Sequence, residues 1–284
     1  MQTARCRKGT QWGCTLRRAY HDKLVLITGA SRGIGKQLAL DFAGQGARCL
    51  LVARDGSALE ANRRELPEPE RHACYPCDVA RREEVDAMAR RVLAENGALD
   101  ILVNNAGVSR YTRFLDTPIE EQEALMRINY WGMVYCTRAF LPAMLERNSG
   151  HIVNLSSISG RLGTVRHTAY CASKFAVAGF SESLYFELLG TGVKITIVNP
   201  GVVETHLFDH ASFSDFPDKL RNMKKPPNLL TRKILRGIRK GKFEITFPGS
   251  LWTGVVVRAV CPPLFRILQA RYLGIRTTRP TADE

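Results

Sequence analysis

From Lys23 onward, short continuous apolar runs alternate with longer segments in which apolar residues recur at helical spacing. The runs LVLITGA, ARCLLVAR, HACYPCDV, LDILVNNAG, GHIVNLSS and VKITIVNPG read as strands. Between them, GIGKQLALDFAGQG reads as a helix closed by Gly46, and DGSALEANRREL as a helix that begins at an Asp55 cap. RREEVDAMARRVLAENG, EEQEALMRINYWGMVYCTRAFLPAML and AYCASKFAVAGFSESLYFELLG supply three more helices. Strands that are apolar throughout, rather than alternating, belong to a parallel sheet covered on both faces. The pattern therefore predicts an α/β fold, one doubly wound domain, with no internal repeat and no low-complexity linker.

After Gly201 the rhythm weakens. VVETHLFDHASFSDFPDKLRNMKKPP contains no clear strand and mixes aromatics with prolines and charges. In doubly wound sheets ligands bind beyond the carboxyl ends of the strands, so a long irregular segment leaving such an end is a candidate lid. Its Leu207, Phe208, Phe213 and Phe216 suit either a pocket for a lipophilic substrate or the packing of the lid onto the body. The expected organisation is a basic extension over residues 1–21 without fixed structure, a nucleotide-binding core over 22–205, and a lid and basic C-terminal extension over 206–284 on the same domain.

Charge changes the picture at the two ends. The formal charge of +14 is concentrated there: residues 1–23 hold six Lys/Arg and one acid, residues 219–284 hold fifteen and three, and the middle is mildly acidic. Basic ends on an acidic body suggest contact with an anionic surface such as phospholipid. Within the C-terminal part, LLTRKILRGIRKGKFEITFPG interleaves cations with Leu and Ile at helical spacing, as a helix lying on a membrane would. LWTGVVVRAVCPPLFRILQARYL is interrupted by Arg258, Pro262, Pro263 and Arg266, too broken to span a bilayer. Nucleic acid is not expected, because aromatics do not interleave with the basic runs. The eight cysteines sit mostly in apolar runs, as buried thiols of a reducing, cytoplasmic setting do, and CYPC has no second pair to complete a metal site. The N-terminus lacks an apolar core of signal-peptide length, so export is not indicated.

Candidate chemistry lies in two places. LVLITGASRGIGKQLAL sets Gly29, Gly33 and Gly35 between the first strand and the first helix, where glycines allow a tight turn and close backbone approach to a pyrophosphate at the helix N-terminus. TAYCASKFAV sets Tyr170 and Lys174 one helical turn apart among small residues. A free phenol has a pKa of about 10, and a neighbouring ammonium stabilises phenolate, which suits Tyr170 as proton donor in reduction and base in oxidation.

The G-x-x-x-G-x-G spacing together with NNAG at Asn104–Gly107 resembles the short-chain dehydrogenase/reductase family. The DV at Asp78–Val79, Asn129 in the long helix, Ser157 thirteen residues before Tyr170, and NPGVVET at Asn199–Thr205 match it further, in order, over residues 23–205. The resemblance implies a Rossmann-type fold and hydride transfer between a nicotinamide cofactor and a carbonyl or secondary alcohol. It implies cofactor contacts from Gly29, Ser31, Arg32, Gly33, Ile34 and Gly35, from Asp78 and Val79, and from Asn105, Ala106 and Gly107. Pro200, Gly201, Val203 and Thr205 would close over the nicotinamide, and Lys174, with Tyr170, would reach its ribose. Ser157 would hold the substrate oxygen, with Ser156 as the adjacent competitor that only the family spacing disfavours. Asn129 would hold a water leading from Lys174 to solvent, a role that satisfying backbone at a helix irregularity does not exclude. The extended C-terminal region is similar to that of steroid, retinoid and ketolipid reductases, and a homodimer or homotetramer through the helices of Asn129 and Tyr170 is implied.

Cofactor choice turns on the end of the second strand. Ala53 occupies the usual acidic position and Arg54 follows, with Arg32 as a second cation, so two guanidiniums could clamp the 2′-phosphate of NADP(H). The rival takes Asp55 as a ribose-binding acid and gives NAD. A non-redox nucleotide sensor is the further alternative, against which the intact Ser157, Tyr170 and Lys174 speak. No metal site is expected.

Overall fold

The computed structural model describes residues 19–273. Seven strands, β1 (Leu24–Thr28), β2 (Arg48–Ala53), β3 (Ala73–Pro76), β4 (Ile101–Asn104), β5 (Gly150–Leu155), β6 (Val193–Pro200) and β7 (Glu244–Phe247), form one sheet in the order β3-β2-β1-β4-β5-β6-β7. Every pairing is parallel. β1 and β4, at its centre, are buried along their whole length, which is why they are written without polar alternation.

Helices cover both faces. On one, α1 (Gly33–Ala43), α2 (Gly56–Glu65) and α8 (Pro227–Arg239) contribute Leu38, Phe42, Leu59, Ile234 and Leu235 to a core with Val25, Ile27 and Val198. On the other, α3 (Arg82–Asn96), α5 (Gly132–Glu146) and α6 (Thr168–Glu187) bring Val85, Phe140, Met144 and Leu184 against Leu26, Leu102 and Ile152. The chain runs outward from β1 to β3, then returns to place β4 on the other side of β1. That reversal leaves a crevice beyond the carboxyl ends of β1 and β4, where ligands of such sheets bind.

The helix expected over 120–145 is a composite. α4 (Ile119–Met126) passes through a π-helical turn, Arg127–Trp131, into α5. Asn129 sits in that turn, and a Cβ on Gly132 would come within 2.9 Å of Val79 Cγ2, so the helix passes hard against the Asp78–Val79 loop.

Three expectations are corrected. The core was expected to close at 205, but β7 adds a seventh strand beside β6, so the sheet extends to Phe247. The basic amphipathic helix, now α8, is not free to lie on a membrane: Leu230, Ile234, Leu235 and Ile238 are buried in the core, and Arg232, Arg236 and Arg239 face out, with Leu229 exposed at the first turn. The structureless extension was drawn to residue 21, yet Tyr20 is buried, packs edge-on against Phe42 and donates from its hydroxyl to Leu235 O at 2.6 Å. The rest of that extension, residues 1–18, lies outside the described residues. The CYPC pair divides across the sheet, Cys74 on the α1 face and Cys77 on the α3 face, which removes any dithiol reading.

The interrupted C-terminal stretch forms two short helices, α9 (Leu251–Val260) and α10 (Pro262–Tyr272), joined at Cys261. Among the described residues no helix is long and apolar enough to cross a membrane.

Candidate active site

A cleft of about 1040 Å³ opens at the crevice. Its walls include the glycine loop, the ends of β2 and β4, the Asp78–Val79 loop, Ser157, Tyr170, Lys174, and the segment from Pro200 to His210. Every residue expected to touch the cofactor lines it except Gly35, which lies buried beneath the loop.

The loop is built for close approach. Gly29 and Gly33 have φ of +65° and +59°, in the region glycine favours, and a Cβ on Gly35 would sit 2.2 Å from Gly29 O. Thr28 and Asn62, which carry no local motif, fix this loop. Thr28 Oγ1 accepts from the backbone N–H groups of Asn105 (2.9 Å) and Ala106 (3.0 Å), and Asn105 Nδ2 donates back to Thr28 O at 2.8 Å. Asn62 of α2, buried, donates to Ala30 O (3.0 Å) and Ser31 O (2.7 Å). Asn104 donates to Asn154 (2.9 Å), which donates to Ser181 (2.9 Å), a polar ladder through the sheet behind the site. These contacts span 27 to 78 residues of sequence, so no local motif announces them. The glycine cradle, the helix N-terminus behind it and the cleft's size fit a dinucleotide. At the end of β2, Ala53, Arg54 and Asp55 all line the cleft, with Arg32 in the facing loop. The Asp55 carboxylate accepts from Ala58 N at 3.0 Å and so caps α2.

At the other end of the cleft, α6 holds Tyr170 and Lys174 on one face, with Lys174 Nζ 5.8 Å from the Tyr170 ring centroid. Nζ donates to Leu155 O at 2.9 Å, which pins the ammonium to the end of β5. The two serines separate: Ser156 Oγ donates to Lys174 O at 2.9 Å, whereas Ser157 Oγ accepts from Ser159 N at 3.1 Å and donates to Pro200 O at 3.4 Å. Asn129 bonds backbone and a neighbouring hydroxyl. Its Oδ1 accepts from Val108 N (2.8 Å), and its Nδ2 donates to Val108 O (2.9 Å) and Ser173 Oγ (2.9 Å). The Val108 loop is thereby fastened to α6 beside Lys174.

Burial governs the ionisation. It pushes the Tyr170 phenol up to about 12, against a smaller lowering from the nearby Ser157 hydroxyl, and it pulls Lys174 down to about 8. The expected lowering of Tyr170 by Lys174 does not emerge in this structure: desolvation dominates both groups, and the ammonium is not among the influences on the phenol.

The apolar lid residues do two jobs, and Phe208, with ring centroids 5.1 Å from Phe213 and 5.4 Å from Phe216, shares in both. Leu207 and Phe208 line the cleft. Phe213 and Phe216 are buried with Tyr111 and pack the lid onto the body. His167, absent from the sequence reading, joins Tyr170 to that cluster, with ring centroids 5.4 Å from Tyr170 and 5.0 Å from Tyr111. Burial pulls its pKa down to about 4, so it is a neutral ring. Val203 pairs in parallel with Lys225, closing the lid's base, and Thr205 approaches Gly33.

Comparison with known proteins agrees with this geometry. The family model described as short chain dehydrogenase matches residues 23–213. Epidermal retinol dehydrogenase 2 of Mus musculus is 38% identical over 259 residues, covering 89% of this chain and 82% of its own. A metagenomic short-chain oxidoreductase solved in complex with NADP is 29% identical, with a TM-score of 0.68 over 80% of this chain and 97% of its own. A short chain dehydrogenase/reductase of Burkholderia phymatum solved with NAD shares the fold, at 24% identity and a TM-score of 0.79 over 93% of this chain and 99% of its own. A glycine cradle, a serine–tyrosine–lysine cluster facing it across one cleft, and a family match spanning both place this chain in the short-chain dehydrogenase family.

Proposed function

We propose that the protein is an NADP(H)-dependent oxidoreductase that interconverts a lipophilic carbonyl and its secondary alcohol, with Tyr170 exchanging the proton. The carrying observation is that Ser157, Tyr170 and Lys174 share one cleft with the glycine loop. When bound, the nicotinamide cofactor supplies or accepts the hydride and, oxidised, carries a positive charge that favours phenolate. This chain's own part is to hold the substrate oxygen between the Ser157 and Tyr170 hydroxyls and move the proton at Tyr170 Oη. Lys174, fixed by Leu155 O, supplies the positive charge that favours the phenolate left after donation.

Arg54 beside Ala53, with Arg32 across the cleft, supports NADP(H), and Asp55 is engaged in capping α2. Leu207 and Phe208 on the cleft wall support a lipophilic substrate, as does the retinol named for the mouse relative. Exposed Trp131 and Leu145 on the Asn129 helix, and Tyr185, Phe186 and Leu189 at the end of α6, support self-association through those helices.

The test is oxidation of NADPH and NADH, side by side, against hydrophobic carbonyls of increasing chain length. NADPH should be preferred, and Arg54→Ala should lower kcat/KM for NADPH about tenfold while leaving NADH little changed, as loss of one charge-assisted hydrogen bond implies. A clear preference for NADH would overturn the arginine reading. Tyr170→Phe should lower kcat by a factor of about 10² to 10⁴ with cofactor affinity retained.

A further inference from the structure

Among the described residues, α9 and α10 differ from every other helix of eight residues or more: neither has a buried residue. Trp252, Val256 and Val260 of α9, and Leu264, Ile267 and Leu268 of α10, stand exposed, Val260 to 79%. Six large apolar side chains exposed on two successive helices point to a partner for this surface. The hairpin is nevertheless fixed to the body. Arg258 donates to Arg161 O and its guanidinium lies 5.0 Å from the Phe175 ring centroid, Gln269 donates to Gly163 O at 3.2 Å, and Lys219 of α7 (Asp218–Arg221) lies 4.4 Å from the Tyr272 ring centroid. Leu251, Val255, Val257 and Phe265 are half-buried, and a Cβ on Gly254 would lie 3.2 Å from Leu162 Cδ1, so polar, cation–π and apolar contacts together hold the inner side while the six apolar side chains named above stay exposed.

Charge identifies the occupant. From Ile245 to Ala282 the chain has no acidic residue, and exposed Arg266 and Arg271 accompany the apolar side chains of α10. A second copy docking here by symmetry would bring an equally acid-free surface with no carboxylate to pair these cations, whereas an anionic bilayer neutralises them. Helices of ten and eleven residues are about 15 Å long, half the hydrocarbon thickness, so they can lie in the interface but cannot span it. The location fits as well. α9 follows β7 at the carboxyl end of the sheet, and a Cβ on Gly201, a cleft residue, would lie 2.6 Å from Leu251 Cδ1, so the hairpin borders the cleft.

We propose that the α9–α10 hairpin seats the protein on an anionic lipid bilayer, with its apolar side chains in the headgroup boundary and the cleft beside the membrane surface. The hairpin, not α8, is then the membrane-facing part of the basic C-terminal region. Its use, drawing a substrate from lipid, rests on the lipophilic-substrate reading above; the docking itself does not.

The test is sedimentation of the full chain with vesicles of phosphatidylglycerol and phosphatidylcholine, and with phosphatidylcholine alone, alongside turnover of a water-soluble carbonyl. The wild type should bind the anionic vesicles, more weakly as salt rises. Val260→Asp/Ile267→Asp should reduce binding at least tenfold, and Arg266→Gln/Arg271→Gln by roughly fivefold per cation, with soluble-substrate turnover unchanged in both. Failure of the wild type to bind anionic vesicles, equal binding to neutral ones, or variants that bind as wild type while losing self-association would each overturn the proposal. Because the arginine variant removes no apolar contact, it reads the charge contribution even if the aspartates disturb the hairpin. Loss of turnover by every form with intact vesicle binding would count against the enzymatic reading alone.

Discussion

At the residue scale, the site rests on groups whose ionisation is set by burial. With Tyr170 pushed up to about 12, the phenol keeps its proton across the neutral range and is available to donate in reduction. Lys174, pulled down to about 8, is the member of the pair that changes charge near physiological pH. It is protonated below that value and neutral above, so kcat/KM for reduction should decline as pH rises through about 8. Lys174→Met, similar in length but without charge, should lose that inflection along with most of its activity; a pH–rate profile of both forms decides it, and an inflection that survives in the variant would assign the titration elsewhere. Asn129 makes a different demand. Asn129→Ala would leave Val108 N and O without their side-chain partners, at a cost of about 1–3 kcal/mol, readable by denaturant titration. Tyr170, Lys174 and the glycines were legible because each signal is local, a helical turn or a loop length. Asn62 and Thr28 were not, since only the folded sheet brings them to the glycine loop and to Asn105.

At the element scale, strands β1 to β6 and their helices were legible because continuous apolar runs and amphipathic segments have different periods. β7 was not. It has four residues at the sheet edge, mostly half-exposed, and becomes a strand through pairing with β6 across the α8 crossover. The same omission misplaced α8, because an amphipathic basic helix looks alike from sequence whether its apolar face meets lipid or a sheet. Packing distinguishes them: a Cβ on Gly237 would lie 2.2 Å from Ile245 Cδ1, so α8 and β7 are in close contact. Gly237→Ala should therefore destabilise by about 1–3 kcal/mol despite its better helix propensity. Ile234→Ala should cost about 2–5 kcal/mol through the cavity it leaves. Both should leave vesicle binding of the folded protein unchanged, which separates the role of α8 from that of the hairpin beyond it.

At the scale of the whole molecule, stability should depend on acidity through histidines far apart in function. His151, in β5, is 7% exposed, and its Nε2 lies 2.7 Å from Thr196 Oγ1, whose own proton goes to Lys242 O at 2.6 Å, so the neutral ring donates from Nε2. Burial, reinforced by the nearby Lys194 charge, pulls its pKa down to about 4, and burial alone does the same to His167. Between the unfolded value of about 6.5 and these folded values, the unfolded chain binds more protons than the folded one, so stability rises with pH across that window and is lost as pH falls through it. For His151 the loss approaches about 3 kcal/mol by pH 4, an upper figure because the denatured chain is not fully extended. His151→Gln can still donate to Thr196 but cannot take up a proton. Its Tm should therefore fall less steeply than the wild type's between pH 6.5 and 4, with the two curves converging in slope above pH 7. Parallel slopes throughout the acid range would mean that His151 is protonated in the folded protein, and that the sheet between β5 and β6 accommodates a charge its packing is drawn to exclude.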